Sequence, residues 1–360
     1  MDYKGRLQRV RIELCKNRVD AFLVTHLPNV RYLCGFSGSS GLLVVGERQN
    51  IFFTDGRYTE EAREEVQGAR IKIKSGKSAL AATMEWLSRQ AGIRRLGIEA
   101  SHLTVADRNL LSKSLPRSAK LVKAPPIIER LRMIKDSDEI AKIRAACLLG
   151  VDLFAKLLQV LQAGVRECEV AGKLEFAARK AGVDQMAFST IVAGGPRSSL
   201  PHGRASSAPI PARGFVVCDF GVILAGYCSD MTRTVHIGSA PGDERLAYEA
   251  VYEAQQAALS AVKPGTAIGE LDRVARKLLH NKNLSRFFTH STGHGLGLEV
   301  HEAPRVAAGQ AERLQPGMVI TIEPGVYLPG KFGVRIEDTV VVTERGCEIL
   351  TPCSKELLTV

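Results

Sequence analysis

A weak internal repeat is the feature that most constrains the fold of this chain. Two segments, 164–174 and 265–275, begin with a glycine and continue into a predicted helix, and their matching positions lie 101 residues apart. In each copy the helix leads to β-rich segments that carry acidic residues. This arrangement predicts a duplicated α+β unit with a site at the seam between its halves. The matched pairs are Gly164 and Gly265, Val165 and Thr266, Glu169 and Glu270, Val170 and Leu271, and Leu174 and Ala275.

The first half contains a pair of aspartates around a turn sequence. Asp219 and Asp230 lie in two β-rich runs, 214–222 and 227–235. A hairpin centred between residues 224 and 225 would place the two aspartates opposite each other on one face. A shift of two residues would keep them on the same face, whereas a shift of one would not.

The second half contains a pair of glutamates in a similar relation. Glu323 and Glu337 enclose two proline–glycine turns, and a hairpin centred on Gly330 would again place the carboxylates opposite each other. Facing like charges are destabilising unless a positive group lies between them. Two such pairs therefore predict a site for cations.

A histidine-rich stretch, 289–302, lies in the sequence between the two acidic pairs. It contains His290, His294 and His301, interleaved with glycines that allow the backbone and a substrate to approach closely. Carboxylates and imidazoles suit hard or borderline divalent ions, and two such ions can acidify a shared water and polarise a carbonyl. His294 has a glycine on each side and is the best metal ligand, which leaves the other two histidines for substrate contacts or proton transfer. The pattern predicts a dinuclear metal site with a hydrolytic function.

With these residues the chain resembles a known family, the pita-bread metallopeptidases, and within it the branch of aminopeptidase P and prolidase. Those enzymes cleave the bond between a first residue and proline. The resemblance covers essentially the whole chain, and all five expected metal ligands occur in order. The segments that carry it are 200–203, 219–221, 229–234, 293–302, 322–327 and 333–338.

The resemblance implies two domains. An α/β creatinase-like N-terminal domain would cover residues 1–125, with segments 36–41 and 54–58 as its signature. The proline pair at 125–126 predicts a linker. An α+β pita-bread catalytic domain with an internal pseudo-two-fold repeat would cover residues 126–360.

The resemblance also implies two divalent metal ions, expected to be manganese, with cobalt or zinc as alternatives. Glu323 would act as the acid/base partner of the attacking water, and Arg335 would orient the carboxylates without binding an ion. The expected metal ligands are Asp219, Asp230, His294, Glu323 and Glu337, of which Asp230 and Glu337 would bridge both ions. The expected catalytic residues are His202, His301 and Glu323, and the expected substrate-binding residues are His202, His290 and His301.

The implied function is that of an Xaa-Pro aminopeptidase, which acts on short peptides with proline in the second position. The alternative is an Xaa-Pro dipeptidase, or prolidase, restricted to dipeptides. Methionine aminopeptidases usually lack the front domain, and creatinases lack the full ligand set. A non-catalytic binding protein of this fold would suit the basic charge of the chain but not its intact site.

Bulk composition limits the expected partners and location. Lysines and arginines exceed acids by 11 and the pI is near 9.3, but the charges are mixed along the chain, so no nucleic-acid partner is expected. No apolar run approaches the roughly 18 residues that span a bilayer, and the eight cysteines are scattered. We therefore expect a cytoplasmic protein with reduced thiols and no membrane partner, and the resemblance implies a homodimer.

Overall fold

The computed structural model describes residues 1–360, which form two compact units, residues 1–132 and 133–360. The division falls later than the predicted linker. Pro125 and Pro126 lead directly into the helix Ile127–Met133. Their backbone carbonyls accept hydrogen bonds from the N–H groups of Ile127 and Arg130 in that helix. Proline is tolerated at a helix start because its missing N–H has no partner there. No helix of either unit is both long enough and apolar enough to cross a membrane.

The first unit is a six-stranded mixed sheet with helices packed against it, which confirms the predicted α/β class. The strand order is β4-β3-β2-β1-β5-β6, and the strands bury a core of aliphatic and aromatic side chains. The sequence analysis missed the short helix α2, which is buried along most of its length and so lacks an amphipathic period. The elements are α1 (Tyr3–Lys16), β1 (Ala21–Val24), α2 (Leu27–Cys34), β2 (Leu42–Gly46), β3 (Asn50–Asp55), α3 (Thr59–Glu65), β4 (Arg70–Lys74), α4 (Ala79–Leu87), β5 (Arg95–Ile98), α5 (Val105–Ser114), β6 (Lys120–Lys123) and α6 (Ile127–Met133).

The second unit is an α+β domain with several antiparallel sheets. Its long first helix, α7, starts at a capping box in which the side chains of Asp136 and Glu139 each accept from the other's backbone N–H. The elements are α7 (Ser137–Leu158), α8 (Glu167–Lys180), β7 (Gln185–Met186), β8 (Ile191–Gly194), β9 (Gly214–Phe220), β10 (Val222–Leu224), β11 (Tyr227–Cys228), β12 (Met231–Ile237), α9 (Gly242–Ser260), α10 (Ile268–Asn281), β13 (Gly293–Gly295), β14 (Glu302–Val306), β15 (Val319–Ile322), β16 (Gly325–Leu328), β17 (Phe332–Arg335), β18 (Asp338–Val342) and β19 (Cys347–Ile349).

The predicted duplication is confirmed in the second unit. α8 and α10 each have 14 residues, and both of their ends are offset by 101 positions. Gly164 and Gly265 precede them with nearly equal positive φ angles, 84° and 83°, a conformation that glycine adopts without strain. One apolar core joins α7 and α8 to β9 and β12, and another joins α9 and α10 to β15 and β18. Each half is thus a helix pair on a sheet.

The first acidic hairpin corrects the predicted register. β10 and β11 are joined by a two-residue turn, Ala225-Gly226, in which both residues have positive φ, 48° and 80°. Turns of that kind match the twist of the paired strands. β9 and β12 continue the register and place Asp219 opposite Thr232 rather than opposite Asp230. The shift is two residues, so the face of the sheet that carries Asp219 is unchanged.

The second acidic hairpin follows the predicted register. β16 and β17 are centred on Gly330, and β15 and β18 continue the pairing with Ile322 opposite Asp338. Glu323 and Glu337 fall between these two ladders, where strand pairing is interrupted. Their side chains are therefore not confined to the alternation of a continuous strand.

Candidate active site

A cavity of about 830 Å³ in the second unit gathers every side chain that the sequence analysis singled out. The residues come from both halves of the duplicated domain, so the site lies at the seam, as the repeat predicts. They are His202, Asp219, Asp230, His290, His294, His301, Glu323, Arg335 and Glu337.

Three of the four carboxylates that line this cavity lie just outside the ends of strands, and one lies within a strand. Asp219 lies within β9, but Asp230 immediately precedes β12, Glu323 follows β15, and Glu337 lies between β17 and β18. The sequence analysis placed all four within strands, which is wrong for three of them. Residues at strand ends are released from the ladder, so several carboxylates can converge on one point.

The possible ligand atoms of three residues lie close enough together to bind one metal ion. Donor atoms of Asp230, His294 and Glu337 all lie within 4.8 Å of one another. Nε2 of His294 is 3.6 Å from Oδ2 of Asp230 and 3.4 Å from Oε1 of Glu323. Nδ1 of His294 is 3.1 Å from the carbonyl oxygen of Gly295, which can only accept a hydrogen bond. That bond places the ring proton on Nδ1 and leaves the Nε2 lone pair directed at the carboxylates.

Two glycines make the approach of His294 to this cluster possible. A Cβ on Gly293 would lie 1.9 Å from the carbonyl oxygen of Thr321, and one on Gly295 would lie 2.2 Å from that of Ala303. Both contacts are with backbone, so no side chain could move aside. The glycines that flank the histidine are therefore required by the tight packing of β13 between its neighbours.

Two carboxylate oxygens of the cluster are buried without a hydrogen-bond partner. They are Oδ1 of Asp219 and Oε1 of Glu337, whereas the second oxygen of each accepts a bond, from Arg335 and from Thr232 respectively. An unsatisfied buried polar atom costs about 1 to 3 kcal/mol. Carboxylate oxygens and one imidazole nitrogen, each with a free lone pair, form a donor set that divalent cations prefer. The residues of this site therefore fit a divalent metal.

Burial and mutual repulsion act strongly on these acids. Burial first, and then repulsion by neighbouring carboxylates, raises the pKa of Asp230 and of Glu337 well above ordinary values. Burial also raises the pKa of Glu323 to about 7, although the positive charge of Arg335 opposes the shift. Ionised acids in this arrangement need a positive partner, which a divalent cation supplies.

Arg335 links the carboxylates to a buried tyrosine and histidine. It donates to Asp219, to Thr232 and to the hydroxyl oxygen of Tyr327. That hydroxyl lies 2.8 Å from Nε2 of His290, to which it donates, and Nδ1 of His290 bonds the carbonyl of the next residue. The structure thus satisfies both ring nitrogens of His290 within the protein. The sequence analysis assigned no role to Tyr327, although it lies within the motif at 322–327.

His202 and His301 differ from His290 in having exposed rings. The ring of His202 makes no hydrogen bond within the protein and lines the cavity. The ring of His301 lies edge to face with that of His294, at 4.3 Å between centroids, and burial lowers the pKa of His301. Both rings are therefore available to a bound molecule.

A buried glutamate that the sequence analysis missed holds the loop that carries His202. Glu167, at the start of α8, is fully buried, and its carboxylate accepts bonds from the side chain of Arg197 at 3.0 Å and the backbone N–H of Gly194 at 2.9 Å. It also accepts from the backbone and the hydroxyl of Ser206. The loop is thus fixed on both sides of the histidine. An acid in a first helical turn is common, so the sequence carries no signal for this role.

A buried aspartate holds the corresponding loop of the second half. Asp272 on α10 accepts from the hydroxyl of Thr292 and from the side chain of Arg276, each at 2.8 Å. Arg276 also donates to the carbonyl of His290, and the carbonyl of Thr292 accepts from the backbone N–H of Glu323. Asp272 therefore supports His290 through Arg276, and the candidate metal ligand Glu323 through Thr292.

A second buried network supports Glu337 from behind. Arg233 donates to the carbonyl of Glu337 and to the carboxylate of the adjacent Asp338. Asp338 is completely buried, and it also accepts from Lys355 at 2.6 Å and from Gln255 at 2.8 Å. Arg233 and Lys355 lower the pKa of Asp338 against the effect of its burial. This carboxylate therefore stays charged and anchors the turn that presents Glu337.

Two arginines on the cavity wall complete the site. Arg204 and Arg305 line the cavity, and neither side chain is paired with an acid. Sequence reasoning did not select them because exposed arginines occur throughout the chain. Their charges are available to an anionic group that enters the cavity.

Comparisons with known proteins find similar sequences and similar folds over nearly the whole chain. Metallopeptidase family M24 matches residues 141–344, and the creatinase/prolidase N-terminal domain matches residues 6–134. A Xaa-Pro dipeptidase of Pyrococcus horikoshii is 39% identical, over 95% of both chains. The structure of a Xaa-Pro dipeptidase from Bacillus anthracis superposes with a TM-score of 0.95 at 35% identity, over 99% of this chain and 100% of the other. The structure of an X-Pro aminopeptidase from Thermotoga maritima superposes with a TM-score of 0.88 at 35% identity, over 95% of this chain and 98% of the other.

Proposed function

The chain belongs to metallopeptidase family M24, and on this premise we propose that it hydrolyses the bond between a first residue and proline. The observation that carries the proposal is the single cavity in which the four candidate carboxylates and four histidines meet. The test is release of proline from Ala-Pro by the protein before and after chelation and dialysis. Hydrolysis that persists at the original rate without metal would contradict the proposal.

We propose that two divalent ions bind here, with manganese as the native metal and cobalt or zinc as alternatives. The donor set and the two unpartnered oxygens support this. When bound, such ions polarise the scissile carbonyl and bring the pKa of a water close to neutrality. Elemental analysis of the purified protein, followed by reconstitution with each metal, measures both the stoichiometry and the identity. The proposed ligands are Asp219, Asp230, His294, Glu323 and Glu337.

The chain's own side chains move the protons. Proline has a tertiary amide nitrogen without N–H, so this nitrogen must gain a proton as it leaves. Glu323 is placed to take a proton from the attacking water at Oε1 and to return it to the proline nitrogen. The exposed rings of His202 and His301 are placed to hold the carbonyl oxygen as its charge develops. His290, with both nitrogens bonded, would support the wall of the cavity rather than bond the substrate.

We propose that dipeptides are the preferred substrates. The free carboxylate of a dipeptide lies close to the scissile bond, and the unpaired side chains of Arg204 and Arg305 line the same cavity. Guanidinium groups bind carboxylates in a bidentate manner. An aminopeptidase that acts on longer peptides is the second candidate, favoured by the similarity to the Thermotoga maritima enzyme. Rates on Ala-Pro and Ala-Pro-Ala decide between them, since a preference for the tripeptide would contradict the dipeptidase.

We also propose a homodimer in the cytoplasm. The scattered cysteines, four of them buried as free thiols, suit a reducing compartment. Light scattering at working concentration and fractionation of cells test the two parts separately. A monomer at all concentrations, or the protein in an extracellular fraction, would contradict them.

A further inference from the structure

The net positive charge of the chain lies entirely in its first unit. Residues 1–132 contain 24 lysines and arginines against 13 aspartates and glutamates, a net charge of +11, whereas residues 133–360 contain 25 of each. The local mixing of charges along the sequence hides this difference. A field of one sign attracts ions of the other, so a concave site in the first unit favours an anionic ligand.

A cavity of about 650 Å³ opens in this unit between the C-terminal ends of α1 and α4 and the paired strands β1 and β2. This volume lies in the range that holds a small organic ligand. Its floor is apolar, with the buried side chains of Leu14, Val19 and Val44, and the indole of Trp86 forms part of its wall. Four guanidinium groups surround it, those of Arg11, Arg18, Arg48 and Arg95.

None of these four guanidinium groups is paired with an acid. Arg11 donates to the carbonyl of Gly46 and to the amide oxygen of Asn50. Arg95 donates to the carbonyl of Arg18 at 2.6 Å. The guanidinium groups of the other two make no hydrogen bond within the protein. Two of the four are therefore oriented by neutral acceptors, and all four keep an uncompensated charge.

The acids in the cavity wall do not neutralise this rim. Asp20 accepts from the backbone N–H groups of Arg94 and Arg95, and Glu47 is exposed. Four positive side chains therefore face two negative ones. Three other arginines of the unit are, in contrast, paired with acids: Arg57 with Asp55, Arg63 with Glu60, and Arg89 with Glu85.

We propose that this cavity binds a mononucleotide, that is, a phosphate monoester joined to a flat heterocycle. Guanidinium groups match phosphate oxygens in bidentate geometry. The apolar floor and the indole of Trp86 suit the heterocycle, because aromatic side chains stack on bases of any kind. Inorganic phosphate alone would leave the floor uncovered, and a nucleoside alone would leave the guanidinium charges unpaired.

Trp86 gives a direct measurement because it is the only tryptophan of the chain. We expect adenosine 5′-monophosphate to change its fluorescence saturably in the full-length protein. The double variant Arg18→Ala/Arg48→Ala should weaken this binding at least about tenfold. The matched control, Lys113→Ala/Arg117→Ala, removes the same charge from exposed positions of the same unit outside the cavity and should change it less than about twofold.

Three outcomes would overturn the proposal. The first is the absence of a saturable change at millimolar nucleotide. The second is equal weakening in both double variants, which would indicate attraction by the bulk charge alone. The third is an equal affinity for a fragment of the nucleotide. Equal affinity for inorganic phosphate would show that the heterocycle is not recognised, and equal affinity for adenosine would show that the phosphate is not recognised. Circular dichroism and melting curves of each variant establish that it is folded. No readout depends on peptide hydrolysis, so this test is independent of the proposed function.

Discussion

Two loops of the catalytic unit, residues 194–206 and 288–294, are held by the same device. In each, a buried acid on the second helix of the half accepts hydrogen bonds from an arginine and from the backbone or a hydroxyl of the loop. Glu167 and Arg197 hold the first loop, and Asp272 and Arg276 hold the second. The helices α8 and α10 occupy matching positions in the repeat, but their acids do not.

The histidines on the two loops differ in whether their ring nitrogens are hydrogen-bonded within the protein. The ring of His202 makes no hydrogen bond within the protein, whereas both ring nitrogens of His290 are bonded, to Tyr327 and to a backbone carbonyl. Burial, followed by the charge of Arg335, lowers the pKa of His290 to about 4. A duplicated scaffold has therefore given one histidine that can meet a substrate and one that supports the site.

The loss of one acid from each half should have the largest effect. Asp230→Asn and Glu337→Gln each remove a proposed bridging ligand, and we expect hydrolysis of Ala-Pro to fall at least about a thousandfold, or roughly 4 kcal/mol. Metal content, measured on the same samples, should fall with it. In the presence of chelator, Asp230→Asn should be more stable than the wild type by about 1 kcal/mol, because a buried repulsion is removed. Full metal content and turnover in either variant would exclude bridging.

Replacement of the two loop histidines should separate their roles. His202→Asn should lower kcat for Ala-Pro by about a hundredfold or more and leave the melting temperature unchanged, because its ring bonds nothing in the protein. His290→Asn should lower the free energy of unfolding by about 1 to 3 kcal/mol, since Tyr327 loses a buried acceptor. Steady-state kinetics and urea denaturation on both variants make the comparison. Equal effects of the two substitutions on both quantities would contradict the distinction.

The pH dependence of stability should sharpen the same difference. Because the folded pKa of His290 lies below its ordinary value of 6.5, this group contributes stability that is present above pH 6.5 and is lost as the pH falls towards 4. The contribution is roughly 3 kcal/mol at most. Urea denaturation from pH 7 to pH 4, with chelator, should show a smaller loss in His290→Gln than in the wild type. His202→Gln serves as control and should follow the wild type.

Weakening the two acid–arginine pairs should have the smallest effect. Glu167→Gln and Asp272→Asn keep the size of each side chain but remove its charge, and a positioning role predicts a loss of about 10- to 100-fold in kcat. Asp272→Asn should also reduce metal affinity, because Thr292 supports Glu323, whereas Glu167→Gln should not. Metal titrations and kinetics test this difference.

The matched controls for these pairs are Glu169→Gln and Glu270→Gln. They remove charges from the same two helices at partly exposed positions, where each glutamate pairs only with a nearby arginine. Both controls should retain wild-type activity. If Glu167→Gln behaves like Glu169→Gln in kcat, the first pair does not position its loop.

The residues that line the site could be predicted from the sequence, whereas the buried acids that hold its loops could not. Acid spacing around Gly330 gave the correct register, and glycines around His294 indicated the close packing that the structure has. The first hairpin was shifted because its turn places Ala225 at positive φ, which alanine does not signal. Glu167 and Asp272 were missed because an acid on a helix usually faces solvent. Only the packed structure shows that they are buried.

The network behind Glu337 bears on how the enzyme is made. Asp338 beside it is held by Lys355, which lies 17 residues further along the chain. A ribosome releases a chain from its beginning, so Asp219 leaves the exit tunnel well before Lys355 does. The bond from Lys355 to Asp338 can form only after residue 355 has left the ribosome, so the turn that presents Glu337 gains its full set of hydrogen bonds later than Asp219 can take its place in the sheet.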